Sequence, residues 1–161
     1  MKLTWVWVLA TYGAFSLMGD PCAALLQSFN QQEVIASCLV LEAGGEGAAG
    51  MQAVMNVIQN RAGHNPGRFY TEVARPQQFS AFNKAPGFFF RDFTSFIAKA
   101  KASRSWPVAR ALVAKAFQNA LPDLTQGATH YYASSLKSPP DWAATAKQVT
   151  QLGHHRFLVL R

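Results

Sequence analysis

Apolar residues begin to recur at helical spacing near position 33. Val34, Ile35, Cys38 and Leu39 share one face of a helix predicted over residues 33–43, with residues 25–32 as a short lead-in. Gly44-Gly45 is expected to end it, because glycine accepts the left-handed cap geometry. A second helix is predicted over 48–61, with Met51, Val54, Met55 and Ile58 as its apolar stripe. Gly63 and His64-Asn65-Pro66-Gly67 mark a turn. Residues 69–90 read as irregular and rich in Pro, Gln and aromatic side chains, with room for a short helix and small strands. Residues 92–102 look helical. Ser105-Trp106-Pro107 reads as a helix start, because Ser caps and Pro is tolerated in the first turn. Leu112, Val113, Ala116 and Phe117 supply that helix's buried face, and Leu121-Pro122 stop it. Residues 128–133 and 157–160 read as short extended segments. The pattern adds up to one α+β domain, mainly α, with a small β part and no internal repeat.

Composition adds a compartment to this picture. Half of the 161 residues are apolar and only 14% are charged, so a real core can form. The formal net charge of +7 favours polyanionic partners without choosing among them. Met1-Lys2 is followed by an uncharged run from Leu3 to Gly19. Asp20-Pro21 then breaks it, and Cys22-Ala23-Ala24 places small residues before a cut after Ala24. That is the layout of a secretory signal peptide over residues 1–24, with an uncleaved membrane tether as the alternative. The expected destination is the periplasm, cell wall or exterior. Cleavage leaves Cys38 as the one thiol, so no internal disulfide can form.

Glu42 carries the most chemical information. Cys38 and Leu39 precede it by one helical turn, which sets its carboxyl on the apolar face. It also falls in the last turn, where the helix dipole disfavours an anion. Both effects favour a protonated carboxyl, the form that general-acid cleavage of a glycosidic bond requires. The bland alternative is a glutamate reaching water at a helix end. Beyond the cut the other carboxylates are Glu33, Glu46, Glu72, Asp92, Asp123 and Asp141. Glu33 lies too far along the helix axis to share a bond with Glu42. Glu46 follows the glycine break, where a dipole or capping contact competes with a catalytic role. A two-carboxylate pair is therefore not guaranteed.

Several segments together resemble the SleB-type cell-wall hydrolases, a family that includes spore cortex-lytic enzymes. They are Leu41-Glu42-Ala43-Gly44-Gly45-Glu46-Gly47, Gly50-Met51-Gln52-Ala53-Val54, Val57-Ile58-Gln59-Asn60-Arg61 and Pro76-Gln77-Gln78-Phe79-Ser80. Thr125-Gln126-Gly127-Ala128, Tyr131-Tyr132, Trp142 and the Gly153, His155, Phe157 set follow in order. The resemblance spans residues 33–161. It implies a lysozyme-like domain acting on the bond between N-acetylmuramic acid and N-acetylglucosamine, with the family's acid at Glu42. It also implies lytic transglycosylase chemistry, in which one glutamate acts first as acid and then as base. Gly44 stands where the family often has Arg, and Leu41 where it usually has a small residue.

The remaining site candidates each have a structural alternative. Gln78 and Ser80 can hydrogen-bond acetamido groups while Phe79 packs beneath them. If residues 128–133 are extended, Tyr131 and Tyr132 alternate faces, one toward the core and one toward a cleft; the family pattern favours Tyr131. Trp142 can stack on a sugar ring or be buried. Glu46 is kept with the substrate-binding set. His130, His154 and His155 show no metal-ligand spacing, so no metal and no other cofactor is expected. His155 reads as a hydrogen-bonded structural residue. The densest basic run, Lys99, Lys101 and Arg104, is a solvated face or an attraction to the anionic wall. The expectation is a monomer acting on peptidoglycan glycan strands, with no nucleic-acid partner. A true hydrolase and a non-catalytic glycan-binding protein remain the rivals.

Overall fold

The computed structural model describes residues 21–85 and 92–160, with side chains from residue 30 onward. Residues 1–20 of the expected signal segment lie outside that range.

Helix α1 (Pro21–Ala43) is the central element, and it includes the stretch expected as a lead-in. Val34, Ile35, Cys38 and Leu39 are buried as the helical spacing requires. The chain leaves α1 through a 3-10 turn, Gly44–Glu46, rather than a left-handed cap at Gly44 or Gly45. The positive φ falls instead at Gly47, the first residue of α2 (Gly47–Arg61). α2 serves two cores. Val54, Met55 and Ile58 face the helical layer, while Ala53 and Val57 pack on Ala128 and Phe157 of the sheet side.

Gly63 and His64 form the expected turn, and helix α3 (Pro66–Ala74) starts inside the expected turn cluster and supplies the short helix allowed for in the irregular region, whose residues 86–90 lie outside the described range. Asn65 caps it, its Oδ1 accepting from Gly67 N at 3.0 Å, and Pro66 occupies the first turn. The Asn-Pro-Gly cluster was therefore a helix start rather than a turn. Helices α4 (Thr94–Lys101) and α5 (Trp106–Phe117) follow the expected pattern. Ser105 precedes α5 without capping it; its Oγ donates to Gly44 O at 2.9 Å and ties α5 to the end of α1. α1 packs against α2, α3, α4 and α5. Phe69 and Phe117 meet edge-to-face at 5.3 Å in that core. Each fully buried aromatic or aliphatic side chain there contributes about 1.5–3 kcal/mol of transfer free energy.

Strands β1 (His130–Ala133), β2 (Ala146–Leu152) and β3 (His155–Leu160) form an antiparallel sheet in the order β1-β3-β2. β2 gave no sequence signal. Lys147, Gln148, Thr150 and Gln151 fill it with polar side chains, and a bulge between Gln148 and Thr150 breaks its alternation. Gly153 and His154 form the β2–β3 turn, with φ +54° at Gly153 as such a tight hairpin demands. Phe157 is buried against α2 and fixes the sheet to the helices. The loop before β1 is sewn to α2 by polar contacts. Asn56 Oδ1 accepts from Leu124 N at 3.0 Å, and Asn60 Nδ2 donates to Ala128 O at 2.9 Å.

Candidate active-site cleft

The last turn of α1 delivers Glu42 to the boundary between the helical layer and the sheet. Its Oε1 accepts from Ala81 N at 2.6 Å and Ser80 Oγ at 3.0 Å, and its Oε2 accepts from Tyr131 OH at 2.8 Å. The apolar face inferred from the helical wheel is thus lined with donors at this one position. They come from distant segments, which helical spacing cannot reveal. Burial, and then the negative charge of Glu42, push the Tyr131 phenol well above its ordinary pKa. Tyr131 consequently stays protonated and acts as a donor.

Phe79 and Phe82 anchor the Ser80–Phe82 3-10 turn by burying their rings in the core. Phe79 therefore lies beneath the cleft rather than in its wall, because its side chain is what pins the loop. Arg61, from the end of α2, clamps the two walls together. Its Nε donates to Thr129 O at 2.6 Å beside β1, and its Nη1 donates to Gln78 Oε1 at 3.2 Å in the loop. Its guanidinium also stands 5.4 Å from the centre of the Phe79 ring. Burial lowers the Arg61 pKa from its ordinary value.

Between these walls lies a cavity of about 430 Å³. Glu42, Gln78, Ser80, Tyr131, Tyr132 and Trp142 border it, joined by Arg61, Gln77, Asn83, Ala133, Leu136 and His155. Gln77 holds φ +62°, a strained conformation for a non-glycine residue in the cleft wall. Tyr131 and Tyr132 both border the cavity, on the edge strand β1. Tyr131 packs on Phe157 and His155, whereas Tyr132 meets Trp142 edge-to-face at 6.0 Å. Trp142 is 37% exposed and Leu136 50% exposed, so the sheet-side rim offers an open apolar surface. Glu46 stands outside the cavity lining and turns toward His155, whose Nδ1 lies 3.0 Å from its Oε1.

Sequence reasoning read His155 as structural and gave no cleft role to Arg61, Gln77, Asn83 or Leu136. The one available signal was the Asn60-Arg61 pair at a helix end, which does not say where the side chain goes. The basic run is partly neutralised: Lys101 and Arg110 converge on Glu33 at 2.8 and 3.4 Å and flank the Trp106 ring. Among the described residues no group of three or more His, Cys, Asp or Glu side chains is placed to hold a metal ion.

Mainly helical with a small three-stranded sheet, the fold is lysozyme-like. The family model described as Cell Wall Hydrolase matches residues 45–158, and the chain belongs to that family. The matched stretch contains Glu46 and begins just after Glu42, so the case for Glu42 rests on its geometry. The fold is similar to the crystal structure of the catalytic domain of the Bacillus cereus SleB protein. The TM-score is 0.58 at 22% identity, over 81% of this chain and 91% of that one. No curated protein matches the sequence.

Proposed function

We propose that this cell wall hydrolase is a lytic transglycosylase that cuts the bond between N-acetylmuramic acid and N-acetylglucosamine, with Glu42 as its single acid and base. One observation carries the reading. Glu42 is the one carboxylate bordering the cleft among the described residues, and donors meet both of its oxygens.

Protonated Glu42 gives its proton to the glycosidic oxygen as the bond from the muramyl C1 breaks. The carboxylate that forms is stabilised by Ala81 N–H, Ser80 O–H and Tyr131 O–H, which favours the transition state over the ground state. The substrate's own acetamido oxygen supports the cationic carbon. Glu42 then takes the proton of the C6 hydroxyl as that oxygen closes on C1. The product is a 1,6-anhydro ring, no water is consumed, and the acid is restored. A hydrolase would need a second group to activate water. Glu46 is directed at His155 rather than at the cleft, which favours the anhydro route.

Gln78 and Ser80 on one wall, and Tyr132 and Trp142 on the other, are the groups to hold acetamido and ring faces. The chain is read as exported and monomeric, by removal of residues 1–24 or tethered through them, and drawn to the anionic wall by its +7 charge. Mass spectrometry of fragments released from purified peptidoglycan tests the reading. Anhydro-muropeptides that vanish with Glu42→Gln support it. Reducing muropeptides assign hydrolysis instead. Binding without release of fragments makes the protein a glycan-binding one.

A further inference from the structure

Glu46 occupies the N-cap position of α2 but makes no side-chain cap bond there. Its side chain is 13% exposed and turns inward instead. Two glycines make the room. A Cβ on Gly50 would lie 2.5 Å from Glu46 Cβ, and a Cβ on Gly153 would lie 2.5 Å from Glu46 Oε2. The end of α2's first turn and the β2–β3 turn are thus both pared back around one carboxylate.

What that carboxylate faces is an imidazole. Glu46 Oε1 lies 3.0 Å from His155 Nδ1 and 3.8 Å from His154 Nδ1. The His155 contact has the distance of an ion pair without forming a hydrogen bond, and Oε2 has no hydrogen-bond partner among the described residues. A buried carboxylate in this position is costly unless a positive charge offsets it, and imidazolium is the charge at hand. His155 is equally buried and borders the cleft. Its ring stands perpendicular to that of Tyr131, with centroids 5.0 Å apart, and Tyr131 OH holds Glu42. A chain of contacts therefore runs from Glu46 through His155 and Tyr131 to the carboxyl that does the chemistry.

We propose that Glu46 and His155 form a charged positioning pair that holds Tyr131 against Glu42, so that glycan cleavage depends on the ionisation of His155. The proposal rests on the reading of Glu42 as the acid. The other titratable groups around the pair are few. His154 approaches Glu46 from the hairpin and is exposed, and Arg156 follows His155 on β3. Glu42 from α1 and Arg61 from α2 act on Tyr131 with opposite signs. Removing the Glu46 charge withdraws the carboxylate that faces the His155 ring.

The test uses the full chain as wild type, Glu42→Gln, Glu46→Gln and His155→Gln, with melting curves to confirm folding. Initial rates on purified peptidoglycan are taken from about pH 5 to 9, the range in which histidine titrates. Histidine and tyrosine ring signals are followed by NMR over the same range. Glu46→Gln should lower kcat about 10- to 100-fold, the scale of a misplaced catalytic group, with KM nearly unchanged. Its pH–rate profile should differ from that of the wild type. Tyr131 signals should follow the His155 titration in the wild type. His155→Gln should match Glu46→Gln in kcat, and it stands in if the latter does not fold. A wild-type kcat and pH profile in both variants would overturn the proposal, as would a His155 titration indifferent to Glu46. An inactive wild type, or an active Glu42→Gln, would overturn the Glu42 reading instead. The NMR titrations would still decide the pair.

Discussion

Glu42 and Glu46 flank the same short turn, yet the two regions they enter treat a carboxylate in opposite ways. On the helix side, Glu42 meets an N–H and a hydroxyl at one oxygen and a phenol at the other, and it stands in an open cleft. On the sheet side, Glu46 is enclosed by two glycines, has one oxygen without a hydrogen-bond partner among the described residues, and faces a histidine. The first environment stabilises charge as it develops, which suits a group that gives and takes a proton. The second isolates a fixed charge, which suits a group that holds another in place. Spacing along the chain would make the two nearly equivalent.

The largest effect that could break this contrast is at Glu42 itself. If Glu42 is the acid and base proposed above, Glu42→Gln should lower the rate of fragment release by at least about 100-fold, while the protein still sediments with peptidoglycan. A variant that keeps most of its rate would pass the acid's role elsewhere. Tyr131→Phe comes next. It removes one donor to a charged group, about 1.5–3 kcal/mol, and should lower kcat about 10- to 100-fold with little change in melting temperature. Steady-state kinetics beside a thermal melt separates the two quantities.

On the Glu46 side the expected readout is stability. Gly153→Ala places a Cβ against Oε2 at a backbone φ of +54°, and should cost about 1–3 kcal/mol, seen as a melting temperature lower by several degrees. In a Glu46→Ala background the same substitution should cost less, since only the backbone strain remains. An equal loss in both backgrounds would mean that Gly153 is not shaped around Glu46.

The smallest expected effect concerns a carboxylate that belongs to neither region. Burial works against the Asp123 anion, but hydrogen bonds from Thr125, Gly127 and Asn60 outweigh it and hold the pKa below its usual value. A depressed native pKa stabilises the fold above the unfolded value near ~4, and that stability is lost as pH falls through the native value. Urea unfolding should therefore show Asp123→Asn less stable than wild type at neutral pH, with the gap closing in acid.

By itself the sequence determined the helical layer and singled out the turn that Glu42 and Glu46 flank. The buried faces of α1, α2 and α5 follow from helical spacing, because those elements bury one stripe each against a common core. Glu42 stood out because it breaks such a stripe at a helix end. The tertiary structure alone decided what surrounds it. Ala81, Ser80 and Tyr131 reach Glu42 from far along the chain, and Arg61 joins loop to strand by side-chain bonds that no local period encodes. β2 was hidden for a related reason: its pairing is satisfied by β3, so its own residues need not alternate. The inward turn of Glu46 was equally illegible, because it depends on space left by Gly50 and Gly153 on two different elements. Local periodicity records which face of an element is buried; it does not record which distant groups will meet a polar atom there.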